Sequence, residues 1–293
     1  MEQSNITQII IDTINSIFNT LFSSIDMSLY SVLDSLTFID SSIMNNKNFV
    51  NIFGSSTTNG ILLIANSFLF AILIYFAVRY LFSHFTYSQI EKPQSFLIKL
   101  IICGLCMNFS YFLVEDFINI LSYISSAICD LGNDLFNKTI SFSELISNIN
   151  SFHFSSDGTG SFDIFSLDGL IKSLLSFSLL NLVFSYSLRY IMVQVFVLLS
   201  PFAILSASLS STSWFFKSWF KNLFSLLFIQ IIVAIILVLL FSLDISSSDL
   251  LVKIIYIGGI YALIKANTFV REFIGGVSTV VSQSVDFFSK FKK

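Results

Sequence analysis

The sequence predicts an all-α integral membrane protein with about five transmembrane helices, and its composition and apolar segments support this fold. The chain has 293 residues, of which 55% are hydrophobic and only 11% are charged. A typical soluble domain is about 45–50% apolar and about 25% charged. Several apolar segments have about the 20 residues, or more, that a helix needs to cross a bilayer. A soluble enzyme is therefore excluded as the default class of protein.

The N-terminal segment, residues 1–59, is predicted to lie outside the membrane and to contain a long amphipathic helix over residues 4–37. Isoleucine, leucine and valine recur at spacings of three and four between positions 6 and 36, with serine, asparagine and aspartate between them. Such a helix lies on the bilayer, packs on partners or covers the chain's own spans, and the pattern does not choose between these. Residues 40–59 are rich in turn-forming residues and lead into the first span.

The spans follow from the apolar segments in chain order. The candidates are residues 60–82, 96–114, 170–208, 222–241 and 250–269. The third segment is too long for one perpendicular crossing. If the fifth segment crosses, its Lys253 and Lys265 side chains must extend toward opposite interfaces. The predicted organisation is two spans in 60–114, a large exterior helix and loop in 115–169, three spans in 170–267, and a basic amphipathic cytoplasmic tail in 268–293.

The distribution of charge predicts the orientation. If the third segment crosses once, 10 of the 15 basic residues lie on one side of the membrane together with only three of the 18 acidic residues. Lysine and arginine rather than acidic residues set orientation, and cytoplasmic loops carry the excess. Two crossings would put Lys217, Lys221 and the basic tail outside. We therefore predict five spans, with the N-terminus outside and the C-terminus in the cytoplasm.

The sequence carries no pattern typical of catalysis, of a cofactor or of a metal site. It contains no HExxH, GxSxG, P-loop or Rossmann fingerprint, and no confident span contains an aspartate. His84 and His153 fall on opposite sides of the predicted membrane, so they form no metal pair. Cys103 and Cys106 form a CxxC inside the second span, where close helix packing is a better interpretation than redox chemistry. We expect a non-enzymatic protein with no cofactor.

Polar side chains inside the spans are the informative positions, because such residues usually pair or line a cavity. Arg189 lies near the middle of the third segment. It either marks the outer interface, as its neighbours Tyr186 and Tyr190 indicate, or it is a buried charge that needs a partner. Pro201 removes one helical hydrogen bond and is expected to kink or end the helix. The amides are candidates for interhelical hydrogen bonds or for lining a path, and they are Asn66, Asn108, Asn181, Gln194 and Gln230.

The stretch after Pro201 contains both tryptophans of the chain. Trp214 and Trp219 alternate with Lys217 and Lys221 at the predicted cytoplasmic boundary. Tryptophan and lysine at such a boundary are typical of membrane anchoring. The same four residues also offer a docking surface for a cytoplasmic partner, and both interpretations stay open.

Residues 188–240 resemble the central region of the TrbL-type polytopic subunit of type IV secretion and conjugation systems. The matching features are Arg189, an apolar helix that ends near Pro201 (LLSPFAILSA), a short polar turn, Trp219, and a long apolar helix that contains Gln230. The predicted layout is also similar, with an exterior amphipathic N-terminus, a large exterior segment after the second span and a cytoplasmic tail.

The resemblance implies a channel or scaffold subunit in a bacterial cell membrane. Its partners would be membrane lipid, other secretion subunits that include cytoplasmic ATPases, and further copies of the chain as a homo-oligomer. Nucleic acid would enter only as translocated cargo, and protein is the other candidate cargo. The candidate path or assembly residues are Arg189, Gln194, Pro201, Gln230 and Asn181. The alternative class is a small-molecule transporter or permease subunit, which predicts convergent polar groups at a midplane site; a lysis or pore-forming protein is a third, less economical class.

Overall fold

The structure, a computed structural model, is helical in the part of the chain that it describes. The described residues are 9–10, 13–14, 16–17, 20, 32–54, 59–86, 92–150, 167–243 and 250–275, and none of them lies in a strand. The all-α prediction is therefore confirmed for these residues. Most of the predicted exterior helix before residue 32, the predicted loop at 151–166 and the basic tail beyond residue 275 lie outside the described residues.

Eight helices can be labelled in the described residues. They are α1 (Lys47–Phe53), α2 (Ile61–Thr86), α3 (Pro93–Asn108), α4 (Ser110–Phe136), α5 (Phe142–Asn150), α6 (Leu167–Ser206), α7 (Ser213–Phe241) and α8 (Leu250–Ile274). A further short helical stretch covers residues 32–37, and Ser41–Met44 form a 3-10 turn. By length and composition, four segments could cross a membrane: Ile61–Ser83, Ser110–Phe136, Phe177–Ser206 and Ser213–Phe241. The chain is thus a helical protein of the multi-pass membrane type.

The second predicted span differs from the structure, because the helix is interrupted at Phe109 between α3 and α4. Phe109 has φ −92° and ψ 6°. With 16 residues, α3 is about 24 Å long at 1.5 Å per residue, shorter than the ~30 Å hydrocarbon core. The longer α4, with 27 residues, contains the first part, residues 115–136, of the segment predicted to lie outside the membrane.

The α4 helix packs along α7 and runs in the same direction. Phe117 contacts Phe220 near the start of α7, with ring centroids 5.4 Å apart. Near the other end, a Cβ added to Gly132 would lie 2.9 Å from Val238 Cγ2. The buried α4 residues recur on one helical face, which explains the packing: Ser110, Val114, Ile118, Leu121, Ser125 and Gly132.

The most buried of the apolar helices is α7, which contacts α4, α6 and α8. It is antiparallel to α6: Trp219 Nε1 donates to the Phe196 carbonyl at 2.8 Å, and Arg189, earlier in α6, donates to the carbonyl of Leu226, later in α7. Because consecutive helices joined by a short turn pack antiparallel, the turn at residues 207–212 marks one end of this bundle.

The fifth predicted span, α8, also packs against α7. A Cβ added to Gly259 would lie 2.2 Å from Leu240 Cδ2, and one added to Gly275 would lie 2.5 Å from Lys221 Cε. Gly259 precedes Gly275 along the chain, whereas its partner Leu240 follows Lys221. The α8 helix is therefore antiparallel to α7, although it is not among the four segments that meet the length and hydropathy requirements for a span.

The α2 and α3 helices form an antiparallel hairpin. Asn66 and Asn108 exchange two side-chain hydrogen bonds of 3.2 Å each, and the Phe76 and Phe96 rings stack with centroids 3.6 Å apart. The sequence left two interpretations open for the amides, and this pair shows one of them, interhelical hydrogen bonding.

The hairpin joins the rest of the molecule near the end of α6. The Phe68 and Phe202 rings meet edge to face with centroids 5.9 Å apart. Leu62 belongs to a buried cluster that also contains Leu205. The start of α2 and the end of α6 are therefore neighbours, whereas the layout predicted from charge assigns them to opposite faces of the membrane.

Candidate functional site

Residues 33–44, called the inserted segment below, pack against α4, α6 and α7. The helical stretch ends at Thr37, residues 38–40 are not helical, and Ser41–Met44 form the 3-10 turn. The buried residues of the segment are Leu33, Thr37, Ile39, Ile43 and Met44. Outside a regular helix, main-chain N–H and C=O groups have no local partners, so burial requires side chains to bind them.

Arg189 is the most deeply buried charged group at this site, with 0% of its surface exposed. Its Nε donates to the Leu226 carbonyl at 2.7 Å, and Nη1 donates to the Thr37 carbonyl at 2.9 Å. An arginine side chain remains protonated in proteins, yet no described carboxylate is close enough to pair with it. Of the two interpretations left open by the sequence, the structure shows the buried charge, and its partners are main-chain carbonyls.

Three features compensate for the buried guanidinium charge. Thr37 ends a helical stretch, and the last carbonyls of a helix lack internal partners and carry partial negative charge. The Leu226 carbonyl has a second lone pair beyond the one expected to accept the Gln230 main-chain N–H within α7. The Tyr186 ring lies 5.9 Å from the guanidinium carbon, which is within cation–π range.

Two glutamines hold the non-helical part of the inserted segment. The Ile39 main-chain N–H donates to Gln230 Oε1 at 3.0 Å, and Gln230 is fully buried. Gln194 Nε2 donates to the Ile43 carbonyl over a longer distance of 3.4 Å. Three of the predicted path or assembly residues, those at positions 189, 194 and 230, are therefore brought together by one segment of main chain.

The two ends of the inserted segment are fastened by residues that the sequence analysis did not single out. At one end, Asp34 Oδ1 accepts a hydrogen bond of 2.9 Å from the Phe142 N–H, the first residue of α5. At the other, Tyr111 Oη donates to the Met44 carbonyl at 2.9 Å. A carboxylate at a helix N-terminus is favoured by the helix dipole. No local signal marks either contact in the sequence, because the partners are far apart along the chain.

The inserted segment therefore runs along much of α4, in the opposite direction. Its first residues lie near the C-terminal end of α4, where α5 begins, and Met44 contacts Tyr111 near the start of α4. With 27 residues, α4 is about 40 Å long. The segment thus passes the middle of the helices against which it packs.

The remaining path candidates, Asn181 and Pro201, do not join this cluster. The Asn181 side chain is exposed on the outer surface of α6. Pro201 is buried inside α6, and the helix ends at Ser206. Of the two expected effects of Pro201, a kink or an end, the helix does not end at the proline, because one lost hydrogen bond does not prevent the next residues from packing as helix.

The predicted anchoring or docking residues divide into one buried and three exposed side chains. Trp219 is buried, and its N–H is bonded to the Phe196 carbonyl, so it is not available for docking. Trp214, Lys217 and Lys221 are exposed. Lys221 lies beside Gly275 at the C-terminal end of α8, where a cation is favoured by the helix dipole.

A cavity of about 370 Å³ opens between α3, α4, the end of α6 and the start of α7. Its walls are almost entirely apolar and include Cys103, Cys106, Phe117 and Trp219. Both cysteines are half-buried free thiols. Within the described part of the chain, no group of three or more histidine, cysteine or acidic side chains is placed to hold a metal ion.

Comparison with known proteins gives no relative for this chain. No protein-family model matches it, and neither a curated protein nor a solved structure does so. The resemblance to TrbL-type subunits thus stays a prediction made from the residues themselves.

Proposed function

We propose that the chain is a non-catalytic, multi-pass subunit of a type IV secretion apparatus, and that it forms a channel or scaffold for DNA or protein transfer across a bacterial cell membrane. The observation that carries the proposal is the role of the polar residues on which the resemblance rests. Arg189 and Gln230 hold a buried segment of the chain itself. They thereby support a defined architecture for a scaffold.

The alternative, a small-molecule transporter, requires convergent polar groups around a midplane cavity. Here Arg189, Gln194 and Gln230 each make a hydrogen bond to a main-chain group, although Arg189 Nη2 and Gln230 Nε2 are buried without a partner among the described residues. Asn181 lies apart from them on the surface of α6. The described cavity is lined by apolar side chains. These observations favour the scaffold over the transporter.

The proposed orientation puts the turn between α6 and α7 in the cytoplasm, together with the C-terminal end of α8. Lys217 and Lys221 at the start of α7 lie at the same end as Arg271 near the end of α8, since Lys221 contacts Gly275. Lysine and arginine concentrate on the cytoplasmic side. We propose that α6, α7 and α8 cross in alternating directions, that α4 crosses parallel to α7, and that the N-terminus lies outside.

Chemical energy would come from partners in this role. Cytoplasmic ATPases would drive transfer, DNA or protein would pass as cargo, and lipid, other subunits and further copies of the chain would surround the helices. The exposed Trp214 and Lys217 at the proposed cytoplasmic turn provide a surface for such an ATPase or for a second subunit.

The test is a mild-detergent extraction from native membrane with a tag on the C-terminus and identification of co-purified proteins by mass spectrometry. We expect secretion-type ATPases and a second membrane subunit. Lys217→Glu should reduce their recovery, whereas Lys138→Glu, a matched change of an exposed lysine in the turn after α4, should not. Recovery of the chain alone, or with one transport-type ATPase, would exclude the secretion proposal.

A further inference from the structure

The inserted segment and the residues after it have a polar outer edge. Eight residues between positions 32 and 48 are exposed, and all but the first are polar: Val32, Ser35, Asp40, Ser42, Asn45, Asn46, Lys47 and Asn48. The buried residues of the same stretch, apart from Thr37, belong to apolar clusters that it shares with α4, α6 and α7. The segment thus has one apolar face toward the protein and one polar face away from it.

Part of this edge lies level with the middle of the bundle. Asp40 follows Ile39, whose N–H is bonded to Gln230 near the middle of α7. Two residues earlier along the segment, Thr37 is bonded to Arg189 near the middle of the α6 span. If α6 and α7 cross a bilayer, Asp40 lies near the depth at which lipid is fully hydrocarbon.

The outer surface of α6 at similar depth has the opposite chemistry. Six residues of α6 between positions 177 and 195 are exposed, and only one is polar: Phe177, Asn181, Phe184, Leu188, Ile191 and Val195. This composition is typical of a helix face in contact with lipid. Two exposed surfaces at one depth, one apolar and one polar, indicate two different environments.

Asp40 makes the polar surface incompatible with lipid. Its carboxylate accepts hydrogen bonds from the Ser42 N–H at 2.9 Å and from the Ser42 hydroxyl, and it remains exposed. Ionisable residues within a membrane face a bundle interior or a water-filled cavity. Non-helical main chain, such as residues 38–40, is tolerated at that depth only under the same conditions.

We propose that the outer edge formed by Ser35, Asp40 and Ser42 lines a water-filled path that runs beside α4 and α6 through the membrane. The inference rests on the proposed function, because it gives the channel subunit a location for its path. The path has the polar edge as one wall, and the apolar surface of α6 faces lipid.

The test measures the access of water to single cysteines in the full-length chain in permeabilised native membranes. In a background without Cys103, Cys106 and Cys129, Ser42→Cys reports on the edge and Ile191→Cys on the α6 surface. A charged methanethiosulfonate reagent reacts with the thiolate, which forms in water and not in lipid. We expect Ser42→Cys to react at least about tenfold faster than Ile191→Cys.

Controls keep the result interpretable if one variant is damaged. Ser210→Cys in the α6–α7 turn should react freely, and Ile43→Cys, buried beside the edge, should not. Ser35→Cys provides a second exposed position on the edge. Equally slow reaction of Ser35→Cys and Ser42→Cys, with normal reaction of Ser210→Cys, would overturn the proposal, because lipid or protein would then cover the edge.

A disulfide between two copies through Ser42→Cys, together with protection from the reagent, would also overturn the water-filled path and identify a contact between chains. The labelling contrast does not depend on secretion partners. Fast labelling of Ser35→Cys and Ser42→Cys without co-purified ATPases would support the path and reject type IV secretion. Slow labelling with co-purified ATPases would reject the path and support type IV secretion.

Discussion

The α2–α3 hairpin and the bundle around α7 are both strongly apolar, yet they are stabilised in different ways. Within an apolar stretch of 18 residues in each candidate span, 61% of the α7 stretch is buried by protein, compared with 11% of the α2 stretch. The α7 helix has α4, α6 and α8 around it, whereas α2 contacts α1, α3 and the end of α6. Apolar composition therefore determines that a helix avoids water, but not whether lipid or protein surrounds it.

The polar residues of the two regions show the same difference. In the hairpin, Asn66 and Asn108 satisfy each other across one helix pair, an interaction worth about 0.6 kcal/mol on average within membranes. In the bundle, Arg189 and Gln230 bind a third element, the inserted segment. Removing a bundle residue should therefore disturb more of the molecule than removing a hairpin residue.

The largest effect we predict concerns the direction in which the hairpin enters the membrane. Because Leu62 and Leu205 share one buried cluster, Asn59→Cys and Ser210→Cys should be labelled from the same side of sealed vesicles. The measurement is protection by an impermeant thiol reagent added before lysis. Labelling from opposite sides would restore the layout predicted from charge alone and would show that the hairpin packs differently in the membrane.

The next largest effect is expected for Arg189→Leu. The change leaves the Thr37 carbonyl buried without its donor, and such a group destabilises by about 1–3 kcal/mol. The inserted segment should detach, so Ile43→Cys, protected in the parent chain, should become reactive in the double variant. Asn66→Leu in the hairpin is the control and should leave Ile43→Cys protected; the comparison of the two regions fails if both variants expose it equally.

A smaller effect should distinguish the two glutamines. Gln230→Leu removes a bond of 3.0 Å to Ile39, and Gln194→Leu removes a longer one of 3.4 Å to Ile43. A typical net hydrogen bond contributes about 1 kcal/mol, and a long one contributes less. Thermal unfolding in detergent should show a larger loss for Gln230→Leu, and the reverse order would show that the Gln194 bond contributes more to stability than its length indicates.

The smallest effect should appear in a matched glycine pair of α8. No atom lies within 4 Å of a Cβ added to Gly258, whereas one added to Gly259 would meet Leu240 at 2.2 Å. Alanine is favoured over glycine inside a helix by about 1 kcal/mol. Gly258→Ala should therefore raise the unfolding temperature slightly, and Gly259→Ala should lose that gain to repacking. Equal shifts would indicate that α8 does not pack closely on α7.

The candidate site was only partly predictable from its residues. The position of Arg189 within an apolar segment marks it as informative, since charges in spans are rare and usually paired. Its partners give no such signal, because main-chain carbonyls exist at every residue. Trp219 illustrates the opposite error: its type and neighbours are typical of an interface anchor, but its side chain is buried between α6 and α7.

The sequence by itself determined the helical fold and the membrane-like composition, because both depend on local runs of apolar residues and on the need of main-chain groups for partners where water is absent. Only the tertiary structure decided what the polar residues bind. Thr37 and Arg189 are 152 residues apart along the chain, and Ile39 and Gln230 are 191 apart. Contacts over such distances depend on how the helices pack, and no local pattern encodes them.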